Sequence, residues 1–336
     1  MSEIFTPFPY RRNPHVERTR AHLDEWTHSV ELVGRETARQ RFAKADFGWF
    51  AAVVYPTADP EHLDLMADWF GWLFLVDDQL DDGDAGRDVD HVQSVVARLR
   101  AVLDDPETTA ASAAPAPSAS AAERALADLW QRTASAATPT WRRRFVGHLD
   151  DCLTTAATWE ARNRLDGIVP DERTYIRNRR HTGAIYVCMD LIDIVERLDI
   201  PEHVCDSAQF GAALDAACNV VCWTNDVYSL EKERALGEVH NLVLVVEHHR
   251  GLDTDEALRQ VCAAISAETN LFLTREHELL AAFADHADVL VPCLAGMRSW
   301  MRGNLDWSHR SRRYRTTAGD FTPDQYLEPT LLTTER

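Results

Sequence analysis

The sequence predicts an all-α protein. Apolar residues recur at three- and four-residue spacing through most of the 336 residues, the period of an amphipathic helix. Alternating strand-like runs joined by hairpin turns are absent. Polar side chains that could hold a ligand also follow helical spacing, on two separate segments that apolar residues flank.

The elements follow in chain order. The first fifteen or so residues are rich in Pro and Arg and read as an extended arm. The apolar period then marks helices over roughly 15–33, 36–45, 60–82, 88–104 and 121–135. It continues over roughly 139–164, 171–198, 202–235, 253–282 and 284–309. Between the fourth and fifth lies PETTAASAAPAPSASAA, an Ala/Ser/Pro tract with too little apolar surface to order itself strongly. It reads as a loop within one domain, because the segment before it is too short to stand alone. The tail from about 316 is polar and irregular.

Bulk properties narrow the function. A net charge of −19 removes the basic face that a nucleic-acid or anionic-membrane binder needs. A phosphorylated ligand stays compatible with that charge where metal ions bridge like charges. The seven cysteines are scattered, odd in number and form no CxxC pair, so neither a zinc site nor a disulfide framework is expected. No apolar stretch approaches the ~18 residues of a membrane span. The N-terminal MSEIFTPFPYRRNPH carries prolines and an early acid where a secretory signal has a continuous apolar run. The expectation is a soluble cytoplasmic protein without stable membrane insertion.

Two motifs carry the chemistry. In WFGWLFLVDDQLDDGD, Asp77, Asp78, Asp81 and Asp82 follow an apolar run, and Asp77 and Asp81 lie ~40° apart on one helix face. Adjacent carboxylates repel, so they need hydration or a counter-charge, and a hard divalent cation is the natural one. A solvated helix end is the plain alternative. An EF-hand fails, because a loop starting at Asp78 puts Leu80 and Val89 at ligand positions.

The second motif is WTNDVYSLEKE, with Asn225, Ser229 and Glu233 at i, i+4 and i+8, within ~80° of helix circumference. One amide, one hydroxyl and one carboxylate make an incomplete octahedron around Mg²⁺, to be completed by water and ligand phosphate oxygens. Lys232 lies at i+7 on almost the same face, where it can meet an anion. Lys44 is the only other lysine. Glu231 and Arg234 read as solvated neighbours. Two such stripes on separate helices argue for a site that both share.

With these motifs the sequence resembles the bacterial class I terpene synthases, of the sesquiterpene cyclase type. DDQLD is similar to their DDxxD motif, and NDVYSLEKE matches their NDxxSxxKE motif at every fixed position. In RSRRY, Arg313 and Tyr314 resemble the family's Arg-Tyr pair. In RNRRHTGAIY, Arg179 resembles the diphosphate sensor, Thr182 the linker and Gly183 the effector at a helix break. The resemblance spans about residues 8 to 315.

It implies a single-domain helical bundle over 1–336 around a central apolar cavity, with a flexible loop at about 105–122 and a closing segment from about 308. It also implies three Mg²⁺ ions, held by Asp77 with Asp81 on one side and by Asn225, Ser229 and Glu233 on the other. Arg179, Lys232, Arg313 and Tyr314 would grip the diphosphate. Asp77 is expected to point deepest and to matter more than Asp78 or Asp82. Phe70, Leu73 and Phe74 on its helix should line the cavity, as should Cys218, Val221 and Cys222 on the Asn225 helix, with Trp307 as a cap.

The implied activity is that of a lyase: ionisation of an isoprenoid diphosphate and cyclisation of the carbocation. Farnesyl diphosphate is the expected substrate and geranylgeranyl diphosphate the alternative. An isoprenyl diphosphate synthase would carry a second aspartate-rich motif. Asp104/Asp105 and Asp150/Asp151 are instead followed by PETT and CLTT. The DxDD string of a class II cyclase does not occur. An inactive diphosphate-binding module is disfavoured by the intact ligand and sensor residues. The oligomeric state, monomer or homodimer, stays open.

Overall fold

The computed structural model describes residues 4–81, 88–103, 119–311, 313–314, 328 and 330–333. The Asp81 side chain, Asp82, most of the Ala/Ser/Pro tract and most of the tail beyond Tyr314 lie outside the described residues.

The described residues form helices and no strand. The first half contains α1 (Val16–Ser29), α2 (Glu36–Ala45), α3 (Phe47–Val54), α4 (Pro60–Asp81), α5 (Val89–Ala101), α6 (Ala121–Ala134) and α7 (Pro139–Thr155). A π-helical turn, Ala156–Glu160, joins α7 to α8 (Ala161–Asp166). The second half contains α9 (Glu172–Thr182), α10 (Ile185–Glu196), α11 (Glu202–Cys205), α12 (Ala208–Leu236), α13 (Leu242–Arg250), α14 (Thr254–Ala282) and α15 (Ala287–Arg310).

Local chemistry sets many of these ends. Side chains of Asp46, Asp88, Ser120, Thr138, Asp171, Ser207, Asn241 and Asp253 accept from backbone N–H groups of the turns they open. Gly167, Gly237 and Gly251 take the left-handed conformation that stops α8, α12 and α13.

The structure corrects the periodicity reading in several places, among them the run 202–235, which breaks at Asp206–Ser207 into α11 and α12. Helix α3, FGWFAAVV, was not predicted, because every one of its residues is buried and it shows no polar face for a period to reveal. Helix α13 is short and was likewise unmarked. The run 139–164 contains the π turn. The run 171–198 breaks at Gly183 and Ala184, where Ala184 has φ 53°.

Helix α12 lies at the centre, packed along α14 and α15, while α15 also packs against α3, and α3 against α4. A Cβ at Gly303 would fall 2.6 Å from the Val53 carbonyl oxygen, so only glycine lets α15 approach α3 this closely. One connected set of buried apolar residues extends from Ile4 to Leu332. The arm joins it through Phe8, whose ring meets Phe272 edge-on at 6.2 Å. No single helix among the described residues is long and apolar enough to cross a membrane.

Candidate active site

The broken end of α9, the C-terminal turns of α4, the middle of α12 and the residues after α15 converge on two adjoining chambers. One is apolar, with an open volume of about 640 Å³; the other is polar, with about 630 Å³. Phe74, Asp77, Arg179, Thr182 and Asn225 border both.

On α4 the two adjacent aspartates take different environments, because successive residues turn ~100° around a helix. Asp77 borders both chambers and is the more exposed. Asp78 is the buried one, which corrects the expectation that Asp77 points deepest. Arg313 grips Asp78 bidentately, with Nη2 donating to Oδ1 at 2.7 Å and Nη1 to Oδ2 at 3.0 Å. Lys232 Nζ adds a third contact at 3.3 Å. Burial alone would raise the Asp78 pKa, but the two cations hold it well below the usual carboxylate range.

Helix α12 supplies the second ridge. Asn225 sits at a junction: its Oδ1 accepts from Arg179 Nη2 at 2.9 Å, and its Nδ2 donates to the Tyr314 hydroxyl at 2.7 Å. The Ser229 hydroxyl donates to the Asn225 carbonyl at 2.9 Å. Glu233 accepts from Asn241 Nδ2 at 2.7 Å. Burial, with Asp226 nearby, pushes the Glu233 carboxyl up to about 7.

Asp226 was missed in the sequence. It is fully buried and accepts from Arg179 Nε at 3.0 Å, from the Tyr175 hydroxyl at 2.6 Å and from Leu242 N at 3.1 Å. The signal was its place beside Asn225 in the motif. One residue further turns its side chain off the stripe and towards α9, where it anchors the sensor arginine.

At the break, Thr182 is buried and its Oγ1 has no hydrogen-bond partner among the described residues, although the residue borders both chambers. A Cβ on Gly183 would sit 3.0 Å from the Arg179 carbonyl oxygen, 3.1 Å from Arg179 Nη1 and 3.3 Å from Cys222 Sγ. Gly183→Ala should therefore displace the Arg179 guanidinium. The expected result is a turnover loss of about 10²-fold with a smaller change in thermal midpoint, checked by kinetics and calorimetry on one preparation. Turnover within threefold of wild type would show that the close approach is not used.

Phe70, Leu73, Phe74 and Val221 line the apolar chamber. So do Phe50, Cys188, Trp300 and Asn304, which no motif marked. Trp307 corrects its assignment as a cap on the cavity. It is fully buried behind the wall, stacked on Phe50 at 4.2 Å, with Nε1 donating to the Ala45 carbonyl at 2.8 Å. It supports Phe50 rather than facing the chamber. The polar chamber also has wall residues the sequence reading passed over: Glu160 on the π turn, Glu238 and His240. Burial opposes a charge on His240, but Glu238 accepting at 2.6 Å tips it towards imidazolium.

The donor set fits a hard divalent cation completed by ligand oxygens. Among the described residues no three His, Cys, Asp or Glu side chains converge. The polar chamber instead gathers oxygen donors of mixed type, Asp77, Asn225 and Glu233, with the Ser229 hydroxyl on the same stripe of α12. Burial first, and the neighbouring Asp226 second, raise the Glu233 pKa, and a bound cation would oppose both.

The comparisons agree with this geometry. The family model described as terpene synthase family 2, C-terminal metal binding, matches residues 68–270, a span that holds both ridges. The germacrene A synthase of Nostoc punctiforme is 31% identical, covering 93% of this chain and 94% of that one. A (+)-T-muurolol synthase of Roseiflexus castenholzii, described as cyclising (2E,6E)-farnesyl diphosphate, is 33% identical over 94% of each. The crystal structure of a linalool/nerolidol synthase from Streptomyces clavuligerus superposes with a TM-score of 0.80 at 31% identity, covering 91% of this chain and all of that one. The chain belongs to the terpene synthase family. It is a terpene cyclase, a lyase acting on a diphosphate ester, and a divalent metal is part of its chemistry.

Proposed function

We propose that the chain is a Mg²⁺-dependent sesquiterpene cyclase that ionises farnesyl diphosphate and folds the farnesyl cation into a ring. One observation carries this reading. A polar chamber lined by two oxygen-rich ridges and by Arg179, Lys232, Arg313 and Tyr314 adjoins an aromatic-lined apolar chamber, and five residues border both. Its similarity to a germacrene A synthase and to a T-muurolol synthase described as cyclising farnesyl diphosphate supports the C15 substrate.

Asp77, with Asp81, and the Asn225–Ser229–Glu233 stripe would hold a cluster of three Mg²⁺ ions, which neutralise the leaving diphosphate as the C–O bond breaks. Lys232 and Arg313, now on Asp78, stand where they can also donate to diphosphate oxygens. Arg179, fixed by Asp226 and Asn225, aims from the other side, and Tyr314 adds a hydroxyl. Thr182 and Gly183 hold the break at which the two chambers meet. Below it, the faces of Phe50, Phe70, Phe74 and Trp300 attract positive charge by ~0.5–2 kcal/mol each and offer no nucleophile, which biases competing ring closures. Val221 and Leu73 shape the remaining wall. We read the chain as one domain, with Arg313 and Tyr314 in the segment that closes the site. Its free cysteines favour a cytoplasmic setting.

Offering C10, C15, C20 and C25 prenyl diphosphates separately with Mg²⁺, and analysing extracts by gas chromatography, tests this. Cyclic product should form from the C15 substrate about tenfold faster than from C20, and a chelator should abolish it. Product from C20 alone would shift the assignment to a diterpene cyclase. Elongation with isopentenyl diphosphate would overturn it.

A further inference from the structure

Among the polar groups of the apolar chamber, Asn304 has no part in the ionisation chemistry. Asn304, on α15, is 2% exposed and lines the chamber among Phe70, Val221 and Trp300. Its Nδ2 donates to the Val221 carbonyl at 3.1 Å, across to α12. That contact fixes the orientation of the amide, because a carbonyl accepts only; the flipped amide would set oxygen against oxygen. Oδ1 has no hydrogen-bond partner among the described residues.

An acceptor that faces a chamber and meets no protein donor takes its hydrogen bond from whatever donor enters that chamber. The hydrocarbon part of a prenyl diphosphate has no N–H or O–H to offer. The donor that fits is water. Asn304 is also well placed: the carbonyl it binds belongs to Val221, one helical turn before Asn225, so the amide stands just beneath the polar chamber.

We propose that Asn304 holds a water molecule in the apolar chamber, and that this water captures the carbocation so that the enzyme releases a terpene alcohol. The inference rests on the cyclase reading above. The water donates one hydrogen to Asn304 Oδ1 and the other towards the diphosphate one turn away, which leaves an oxygen lone pair facing the cation. That pair forms the new C–O bond. The oxonium then loses one proton to the released diphosphate, the base at hand; the atoms balance and nothing is oxidised or reduced. Asn304 acts through the water, as a positioning residue.

The test is turnover of farnesyl diphosphate with Mg²⁺ in H₂¹⁸O, read by gas chromatography and mass spectrometry as the share of labelled alcohol among all products. That share does not depend on how much of a variant folds. The wild type should release an ¹⁸O-labelled cyclic alcohol, whereas phosphatase contamination yields a linear alcohol with unlabelled oxygen. Asn304→Leu should lower the labelled share by about tenfold or more, with hydrocarbons in its place. Asn304→Asp, kept protonated by burial, can donate to the Val221 carbonyl and still present a carbonyl oxygen. It should retain about half of the wild-type share. Wild-type product consisting only of hydrocarbons would overturn the proposal, as would an unchanged labelled share in Asn304→Leu. Failure of the wild type to release diphosphate from any prenyl diphosphate would overturn the cyclase reading itself.

Discussion

Asn225→Ala will slow diphosphate release from farnesyl diphosphate by about a thousandfold and leave the protein folded. The amide joins three parts of the site: it accepts from Arg179, donates to Tyr314 and begins the Ser229–Glu233 stripe. Losing one oriented group at a developing charge typically costs about 10²–10³ in rate, and this residue orients two others besides its own proposed place on a metal ion. The folded state is less affected, because Asp226 still holds Arg179 Nε at 3.0 Å and Trp307 still packs against the Tyr314 ring at 5.7 Å. Stopped-flow diphosphate release, with circular dichroism on the same sample, checks both halves. Retained turnover would remove the α12 ridge from the mechanism.

Arg313→Ala should be costly in both stability and rate. The guanidinium is buried, forms two hydrogen bonds to Asp78 and lies 4.8 Å over the Phe74 ring. Its removal takes away both short guanidinium contacts and leaves the buried Asp78 with Lys232 at 3.3 Å and the more distant charge of Arg41. Breaking a buried pair from one side typically costs about 3–5 kcal/mol. Turnover should fall by about 10²-fold as well, since a diphosphate donor is lost. The double variant Asp78→Ala/Arg313→Ala separates the two effects: it should recover more than half of the lost stability and none of the lost turnover. Denaturant melts and steady-state kinetics on the four proteins of this cycle measure it. Full recovery of turnover in the double variant would mean that Arg313 serves only Asp78.

The parts of the site legible in the sequence are those written in helical period. Asn225, Ser229 and Glu233 recur every four residues, and Asp77 closes an apolar run, so their faces follow from spacing alone. The sensor, linker and effector positions came from family resemblance, because a cluster of arginines before a glycine has no period that singles out Arg179.

What stayed hidden depends on tertiary contact. Asp78 and Asp77 are neighbours in sequence, and only the arrival of Arg313 and Lys232 from distant segments decides which one is buried. Phe50 and Trp300 line the cavity from helices whose apolar residues look alike in sequence. Trp307 lies one layer back for the same reason. Helix α3 carried no signal, since a segment buried all round has no polar face to set a phase. Asp226 is a fixed position of the motif but lies off the metal stripe, so spacing gives it no role, although it holds the arginine on which the sensor reading depends.

A crystal structure with Mg²⁺ and inorganic diphosphate tests the central claim most directly. The account predicts metal ions bound between Asp77 and the Asn225–Ser229–Glu233 stripe, with the diphosphate reached by Arg179, Lys232, Arg313 and Tyr314. Diphosphate bound away from these residues, or held at them with no metal ion between the two ridges, would contradict it.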